Sequence, residues 1–599
     1  MTPTETAQTR LVNTLLRRGN VLSIHHRKAL YSLCDAFMSM SRGTLTGRWA
    51  FPIATGCGKT TAVVECCATL HQLGDIDSSV VVCASRIEAL CKMQRDMIEA
   101  GIPAEKIGLI YAKAAKDKYS EPCTTDNEGR QFLLISHNRA ARERHLGDIN
   151  TYNGQPRSVV IYDESLLVSE IEHFLVDDLI GALGKWISKI ALDLPTKPEL
   201  ASVSNFLTER RDTISFLYQN FDKDIVNLVG APGYMLSIEE QVDWSARFKA
   251  AGDSILAEFL EVQHLELRLV RHNKTAAVSY KIAIPPALTN MIVLDASYPI
   301  RTLEQNDTTL HDAKDLPFCK KNQIHFDALK RFDNVTLYRM TQHGGRSSMA
   351  TDKAKVKKIM LDTVKIIQGI PVEEEVLVFV YKARGAIDSI KTLTTELEHA
   401  GVDIGKRIHL QTWGNETSTN EFRQCRHVIL VGVLHRDLTE LEAHHLGQVN
   451  DIRGIVTPQT LKGLCLSERA HLAYQALSRG SCRVMGNDNE ANQMTGYIIE
   501  AEEEIETALS SVMPGVVWKT WKPVYSDGVA HGYLLDTLKK RIGSALTTLA
   551  GDSVTCRSFK TAVLKGEHVA AQSWKIAMSE ALSENPLWIQ QDQRLQRAA

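Results

Sequence analysis

Residues Phe51–Leu70 read FPIATGCGKTTAVVECCATL, and this stretch decides the fold. An apolar run meets Ala54-Thr55-Gly56-Cys57-Gly58-Lys59-Thr60-Thr61, and a helical pattern of Val63, Val64, Cys67 and Leu70 follows at once. Such a strand–turn–helix is a phosphate cradle. Gly56 and Gly58 let the backbone turn tightly and aim its N–H groups inward, while the new helix presents its positive end to an anion. Lys59 is expected to reach the outer phosphates, and the Thr60 hydroxyl to ligate Mg²⁺. The full pattern wants a glycine where Ile53 stands. A Gly-rich strand–helix turn of a metabolic α/β domain is the competing interpretation, and the Gly-Lys-Thr between strand and helix speaks against it.

Outward from the cradle, three further strands repeat one pattern, a β-branched run that ends in polar residues. Such runs are buried parallel strands, and ligands bind beyond their C-terminal ends. Val80–Ala84 leads into Ser85-Arg86, and Phe132–Ile135 leads into Ser136-His137-Asn138-Arg139. Ser85, Arg86, His137, Asn138 and Arg139 are therefore candidate contacts to a phosphate backbone, against the alternative of ordinary strand-end polarity. Ser158–Tyr162 ends in Asp163-Glu164. Opposite a phosphate cradle, Asp163 would hold the Mg²⁺ and Glu164 would orient and deprotonate the attacking water.

Between Val168 and about Val262 the apolar spacing turns helical (Ile171, Phe174, Leu175; Leu179, Leu183, Trp186), which predicts an inserted helical module. Leu265–Ile284 alternates as a hairpin with its turn near Asn273-Lys274. The sheet resumes at Met291–Leu294, followed by Asp295-Ala296-Ser297. A second α/β unit then follows: a helix from Lys353 to Gln368, a strand Val376–Val380, and a polar loop from Trp413 to Asn420 between two apolar strands. Near its end, Gln475, Arg479 and Arg483 recur every fourth residue, which predicts one helical face suited to a shared phosphate.

The chain has 599 residues, too many for one domain, and a formal net charge of −2, so a nucleic-acid surface has to be a local patch. The N-terminus lacks the apolar core of a signal peptide, and no apolar run is long enough to span a bilayer, so a cytoplasmic protein without a membrane partner is expected. The twelve cysteines form no C-x-x-C pairs. Upstream of the cradle stands the basic segment His25-His26-Arg27. Arg27 is the candidate for stacking on a nucleotide base, or else part of a solvated helix start.

These blocks resemble superfamily 2 helicases. Residues Ala54–Thr60, Ala84–Arg86, Ser136–Arg139 and Asp163-Glu164 match the motifs of a first motor domain together with Asp295-Ala296-Ser297. Val376–Val380, Trp413–Asn420 and Gln475–Arg483 match those of a second. The inserted module and the Gln-Ala-x-x-Arg form of the last motif are similar to the XPD/DinG branch. The cysteine cluster of that branch is absent, and two motifs depart from its pattern, so no iron–sulfur cluster is expected.

The resemblance implies an α/β fold of two RecA-like parallel-sheet domains clamping ATP and Mg²⁺. The first is expected over 1–325 with a helical insertion at about 168–285, the second over 326–503, and a small mainly helical domain over 504–599. It implies Lys59, Glu164, Gln475, Arg479 and Arg483 as catalytic groups, with Trp413 and Asn415 joining the nucleic-acid contacts. The implied partner is single-stranded nucleic acid, DNA in preference to RNA, with a protein or ribonucleoprotein partner as a further expectation. An ATP-driven adaptor that remodels a partner without unwinding is the alternative. In the tail, short amphipathic helices rich in lysine and arginine suit a winged-helix-like nucleic-acid-binding domain or an inert packing domain.

Overall fold

The computed structural model describes residues 1–599 except 112–118, 120, 141–149, 285–287, 384–387, 406, 416–420, 487–488, 527–528, 550, 565–568, 570, 592–593 and 598–599. Part of the predicted polar loop, 416–420, thus lies outside the described residues.

Two N-terminal helices, Pro3–Arg17 and Ile24–Ser41, precede the first sheet. Each starts on a side-chain cap, Thr2 in a capping box with Glu5 and Ser23 onto the His26 amide. Their apolar faces pack on the helix Lys59–Gln72 that follows the cradle.

The first sheet contains β1 (Arg48–Ala50), β2 (Val80–Ala84), β3 (Ile107–Ile110) and β4 (Phe132–Ser136). A small hairpin of β5 (Thr151–Tyr152) and β6 (Gln155–Pro156) leads to β7 (Val159–Asp163). The inserted module follows with β8 (Ser169–Leu175), β9 (Asn227–Val229), β10 (Leu267–Arg271) and β11 (Thr275–Ile282), and β12 (Met291–Leu294) and β13 (Leu310–Asp312) complete the first sheet. Its order is β13-β1-β12-β7-β2-β4-β3, and every pairing is parallel. All five residues of β2 are buried, as a strand covered by helices on both faces must be.

The insertion is not simply helical. Helices Val176–Asp193, Ala201–Gln219, Ile238–Ala250 and Ser254–Glu261 accompany an antiparallel sheet ordered β8-β11-β10-β9. Ile171, Phe174 and Leu175, whose spacing suits a helix, lie on β8 and pair with the predicted hairpin. Ser169–Leu175 carries no clean alternation, since His173 shares a strand face with Ile171 and Leu175 while Phe174 lies on the other; pairing with the otherwise open edge of β11 makes it a strand.

The second sheet contains β14 (Val335–Met340), β15 (Val376–Val380), β16 (Ile408–Thr412), β17 (His427–Leu430), β18 (Met494–Ile499) and β19 (Val517–Thr520). It is again wholly parallel, in the order β16-β15-β17-β18-β14-β19. The unit extends past the expected boundary at 503, because Ile505, Leu509, Met513 and Trp521 belong to its core. The insertion also docks on this second unit. Gln448, at the end of helix Leu438–Gln448, accepts from the Val168 amide at 2.8 Å, and Glu442 pairs with Arg268 at 3.0 Å. Gly447 permits that contact, since a Cβ there would stand 2.4 Å from Ser169 Oγ.

Candidate functional site: a cleft between two parallel sheets

The loop after β1 turns through Gly56 and Gly58, whose φ angles are +78° and +87°, a region open to glycine. Three groups hold it in place. Leu15 packs 3.2 Å from where a Gly58 Cβ would sit, Lys59 Nζ donates to the Ile53 carbonyl at 2.6 Å, and His26 Nε2 lies 2.8 Å from the Cys57 carbonyl. Burial lowers the His26 pKa, so the imidazole is neutral and donates from Nε2. Of the predicted base-contacting segment, then, His26 grips the cradle while Arg27 is exposed on the helix beside it. Thr61 accepts from Arg18 at 3.2 Å, and the Thr55 side chain meets Tyr474 of the second unit.

β7 delivers Asp163 and Glu164 two strands from β1, with β12 between them. Burial, then the neighbouring Glu164, pushes Asp163 up to about 6 against the pull of Lys59, Arg483 and Arg479. Glu164 sits at φ +82°, a region a non-glycine residue rarely adopts. Its carboxylate accepts from Ser85 Oγ at 2.8 Å and lies 3.9 Å from Arg479 Nη2. Ser85 thus touches the carboxylate rather than standing apart on a surface.

The second unit supplies the facing wall. Arg479 is 2% exposed and donates to Gln475 Oε1 at 3.0 Å, and Gln475 Nε2 reaches Ser297 Oγ at 3.4 Å. Ser297 in turn donates to Asp295 at 2.6 Å and lies 2.7 Å from His471 Nδ1. Burial alone would raise Asp295, but His471 and hydrogen bonds from Glu304, Ser165 and Ser297 more than offset it and hold it down to about 2. Arg301 binds Glu468 through two hydrogen bonds, at 2.8 and 3.1 Å, and Arg436 joins at 3.0 Å. The residues after β12 are therefore bonded directly into helix Pro458–Leu477.

The three predicted cleft residues do not share one helical face. The helix ends at Leu477, Arg479 follows it, and Arg483 lies on a 3₁₀ turn, Ser481–Arg483. Gly480 forces that break, because a Cβ there would stand 2.5 Å from Val428. Arg483 still reaches the cradle. Its carbonyl lies 2.0 Å from where a Gly56 Cβ would be, and its guanidinium faces Asp163 and Glu164 with a buried Nη1 that has no hydrogen-bond partner among the described residues. A buried cationic donor left open beside the cradle suits a phosphate oxygen, and the glycine turn, Lys59, Thr60 and Asp163 suit the remainder of a nucleotide and its metal.

The sequence gives no sign of Lys330. It lies just before β14, is 1% exposed, and donates to the Thr55 carbonyl at 3.1 Å and the Arg483 carbonyl at 2.9 Å. One ammonium thus ties the cradle to the loop of the second unit. No spacing rule marks it, since its partners are backbone oxygens more than a hundred residues away.

Several strand-end residues are placed differently from the expectation. Trp413 is 3% exposed, packs on Phe379 and donates to the Gly432 carbonyl at 3.2 Å, so it belongs to the second core. A large aromatic ring at a strand end is a packing group when a neighbouring strand covers it. His137 is stacked on Tyr162 at 4.1 Å and 10°, turned into the sheet, and burial lowers it to about 4. Arg86, Asn138, Arg139 and Asn415 stay at the strand ends, with Asn138 and Asn415 exposed.

No family model matches the sequence, and no curated protein matches it. Among solved structures, the chain is similar to an XPD helicase at 10% identity and a TM-score of 0.45, over 84% of this chain and 100% of that one. It is similar to S. cerevisiae Dbp5 bound to RNA and ADP BeF3 at 10% identity and a TM-score of 0.37, over 83% and 94%. Escherichia coli DEAH/RHA helicase HrpB is similar at 10% identity and a TM-score of 0.34, over 91% and 52%. The two-domain architecture itself stands on the strand orders given above.

Proposed function

We propose that this chain is an ATP-hydrolysing motor on single-stranded nucleic acid, with DNA as the polymer. The observation that carries the reading is the approach of Arg479 of the second unit, bonded to Gln475, to Glu164 of the first, beside a phosphate cradle. A single-domain phosphotransferase has no use for arginines supplied across such a cleft.

The backbone amides of Gly56–Thr60 would hold the nucleotide phosphates, with Lys59 as their counter-charge, and Thr60 and Asp163 would ligate Mg²⁺. The bound metal supplies charge neutralisation at the phosphates. Glu164, oriented by Ser85, takes the proton of the attacking water. Arg479 and Arg483 neutralise charge that develops on the transferred phosphoryl group, and they can do so only while the two units are closed. Closure is relayed to the strand ends through Ser297, His471 and Gln475, so a polymer bound at Arg86, Asn138, Arg139 and Asn415 would bias the same state. The Gln-Ala-x-x-Arg form of this segment supports a DinG-like motor.

ATP turnover measured with single-stranded DNA, with RNA and without polymer tests the reading. A motor shows polymer-stimulated turnover, and stimulation by DNA above RNA supports the assignment of the polymer. Turnover indifferent to any polymer contradicts the motor and favours the adaptor.

A further inference from the structure

Among the described residues, none of the C-terminal module lines the cleft. It runs helix Val529–Thr548, strand β20 (Ser553–Thr555), helix Cys556–Leu564, helix Ala571–Glu584, then strands β21 (Trp588–Gln591) and β22 (Arg594–Arg597). The three strands form an antiparallel sheet ordered β20-β22-β21, so the last two make a hairpin beside the third helix. Helix–strand–helix–helix–hairpin in this order is a winged helix. The module has its own core, centred on Ile542, Phe559, Ala577 and Leu595 and separate from both sheets.

We infer that this module binds duplex nucleic acid, seating helix Ala571–Glu584 in a groove of the duplex with the hairpin against the backbone. Charge is the first support. Residues 529–599 carry nine Lys or Arg against six Asp or Glu, in a chain whose overall charge is −2. Placement is the second. The Lys560 ammonium stands 5.4 Å from the centroid of the Trp574 ring, so it lies beside the start of the third helix, next to exposed Lys575. Glu580 and Glu584, the acids of that helix, sit in its C-terminal half, 3.8 and 2.7 Å from Lys539, which offsets one of the two charges, while Lys575 lies in the N-terminal half.

Lys575, Ser579 and Gln590 border a groove of about 770 Å³ between the second helix, the third helix and the hairpin, floored by Phe559, Met578 and Trp588. Arg594 stands exposed at the start of β22, its Nε on Ser553 Oγ at 2.9 Å. A helix fits the major groove of a duplex, with the residues of its N-terminal half nearest the bases, while flanking cations take the phosphates. Lys575 on the rim, with Lys560 beside Trp574 and Arg594 on the hairpin outside it, favours a polyanion over an apolar peptide. This inference goes beyond the motor: a duplex grip next to a single-strand motor would hold it at a junction.

The test uses the full chain without nucleotide. Fluorescence anisotropy follows a blunt DNA hairpin of about 20 base pairs, and a single strand of equal length, between about 50 and 200 mM salt. In the variant Lys560→Glu/Lys575→Glu/Arg594→Glu, the duplex Kd is expected to rise at least about tenfold, with a salt dependence shallower by about two to three. Single-strand affinity and basal ATP turnover stay as in the parent. Duplex affinity within about twofold of the parent overturns the inference, including the case in which the groove serves a protein partner. If the triple variant loses the module's thermal transition, Lys575→Gln/Arg594→Gln, both at exposed positions, replaces it under the same criteria. Because binding is read without ATP, failure here leaves the motor reading standing, and a chain without ATP turnover leaves this one standing.

Discussion

Lys330→Met removes one ammonium and keeps most of the side-chain volume. The variant leaves the carbonyls of Thr55 and Arg483, one from each unit, without their shared donor. An unpartnered buried carbonyl costs about 1–3 kcal/mol. Set against this is the relief of no longer burying a cation, itself several kcal/mol. Both effects act on the closed form, where the relief returns only part of the two carbonyls' combined penalty. The balance between closed and open forms therefore changes, because the three groups meet only when the units are together. A loss of about 2–3 kcal/mol from the closed form lowers its population about 30- to 150-fold, and kcat falls with it. ATP affinity, governed by the first unit, holds within a few-fold. Gly56→Ala attacks the same contact from the other side, since its Cβ would meet the Arg483 carbonyl at 2.0 Å, but at φ +78° it also strains the cradle, so ATP affinity falls together with kcat. Steady-state turnover measured beside nucleotide binding reads the result. A Lys330→Met enzyme with kcat within about twofold of the parent refutes the latch.

Three further outcomes follow from the geometry. Glu164→Gln keeps nucleotide binding and lowers turnover about 10²- to 10⁴-fold, because an amide cannot take the water's proton; half the parental rate would remove Glu164 from that role. Trp413→Ala costs the second unit about 3–5 kcal/mol, seen as a lower melting temperature, while single-strand affinity per folded molecule is kept; the reverse pattern would return Trp413 to the surface. His444 and His471 are buried and lowered from 6.5 to about 4, so as pH falls the unfolded chain takes up their protons first. Stability is then lost between about pH 6.5 and 4, at up to about 1.4 kcal/mol per pH unit for each histidine. His444→Gln removes one of those protons from the melting profile, and a profile unchanged by it contradicts the assignment.

The parallel strands and the cradle were readable because each carries a short-range signature. Val80–Ala84 and Val159–Tyr162 are continuous apolar runs, and Gly56-Cys57-Gly58-Lys59 needs its glycines for the turn itself. The hairpin of β10 and β11 was readable from alternation alone. What joins the units was not. Lys330 answers two backbone oxygens, and Ser297 answers His471 and Gln475 across 174 and 178 residues, contacts that no local period encodes. Arg479 was found by its spacing from Gln475, yet the spacing implied a continuous helix where Gly480 breaks it. β8 was misread because its seven residues carry no alternation, and its strand character comes from a partner about a hundred residues away. Strand β19 carries the second unit past residue 503 for the same reason, since only pairing with β14 makes it part of the sheet.

The central claim is that the second unit completes the catalytic site of the first. Arg479→Ala tests it most directly, with turnover, nucleotide binding and melting temperature measured on one preparation. The account predicts ATP binding within a few-fold of the parent, turnover lower by roughly 10³-fold or more, and no stimulation by single strands. Arg479→Lys rescues poorly, because a point charge lacks the planar fork. A variant with a lowered melting temperature and an unchanged kcat per folded molecule would contradict the claim, leaving Arg479 a packing residue of its own unit.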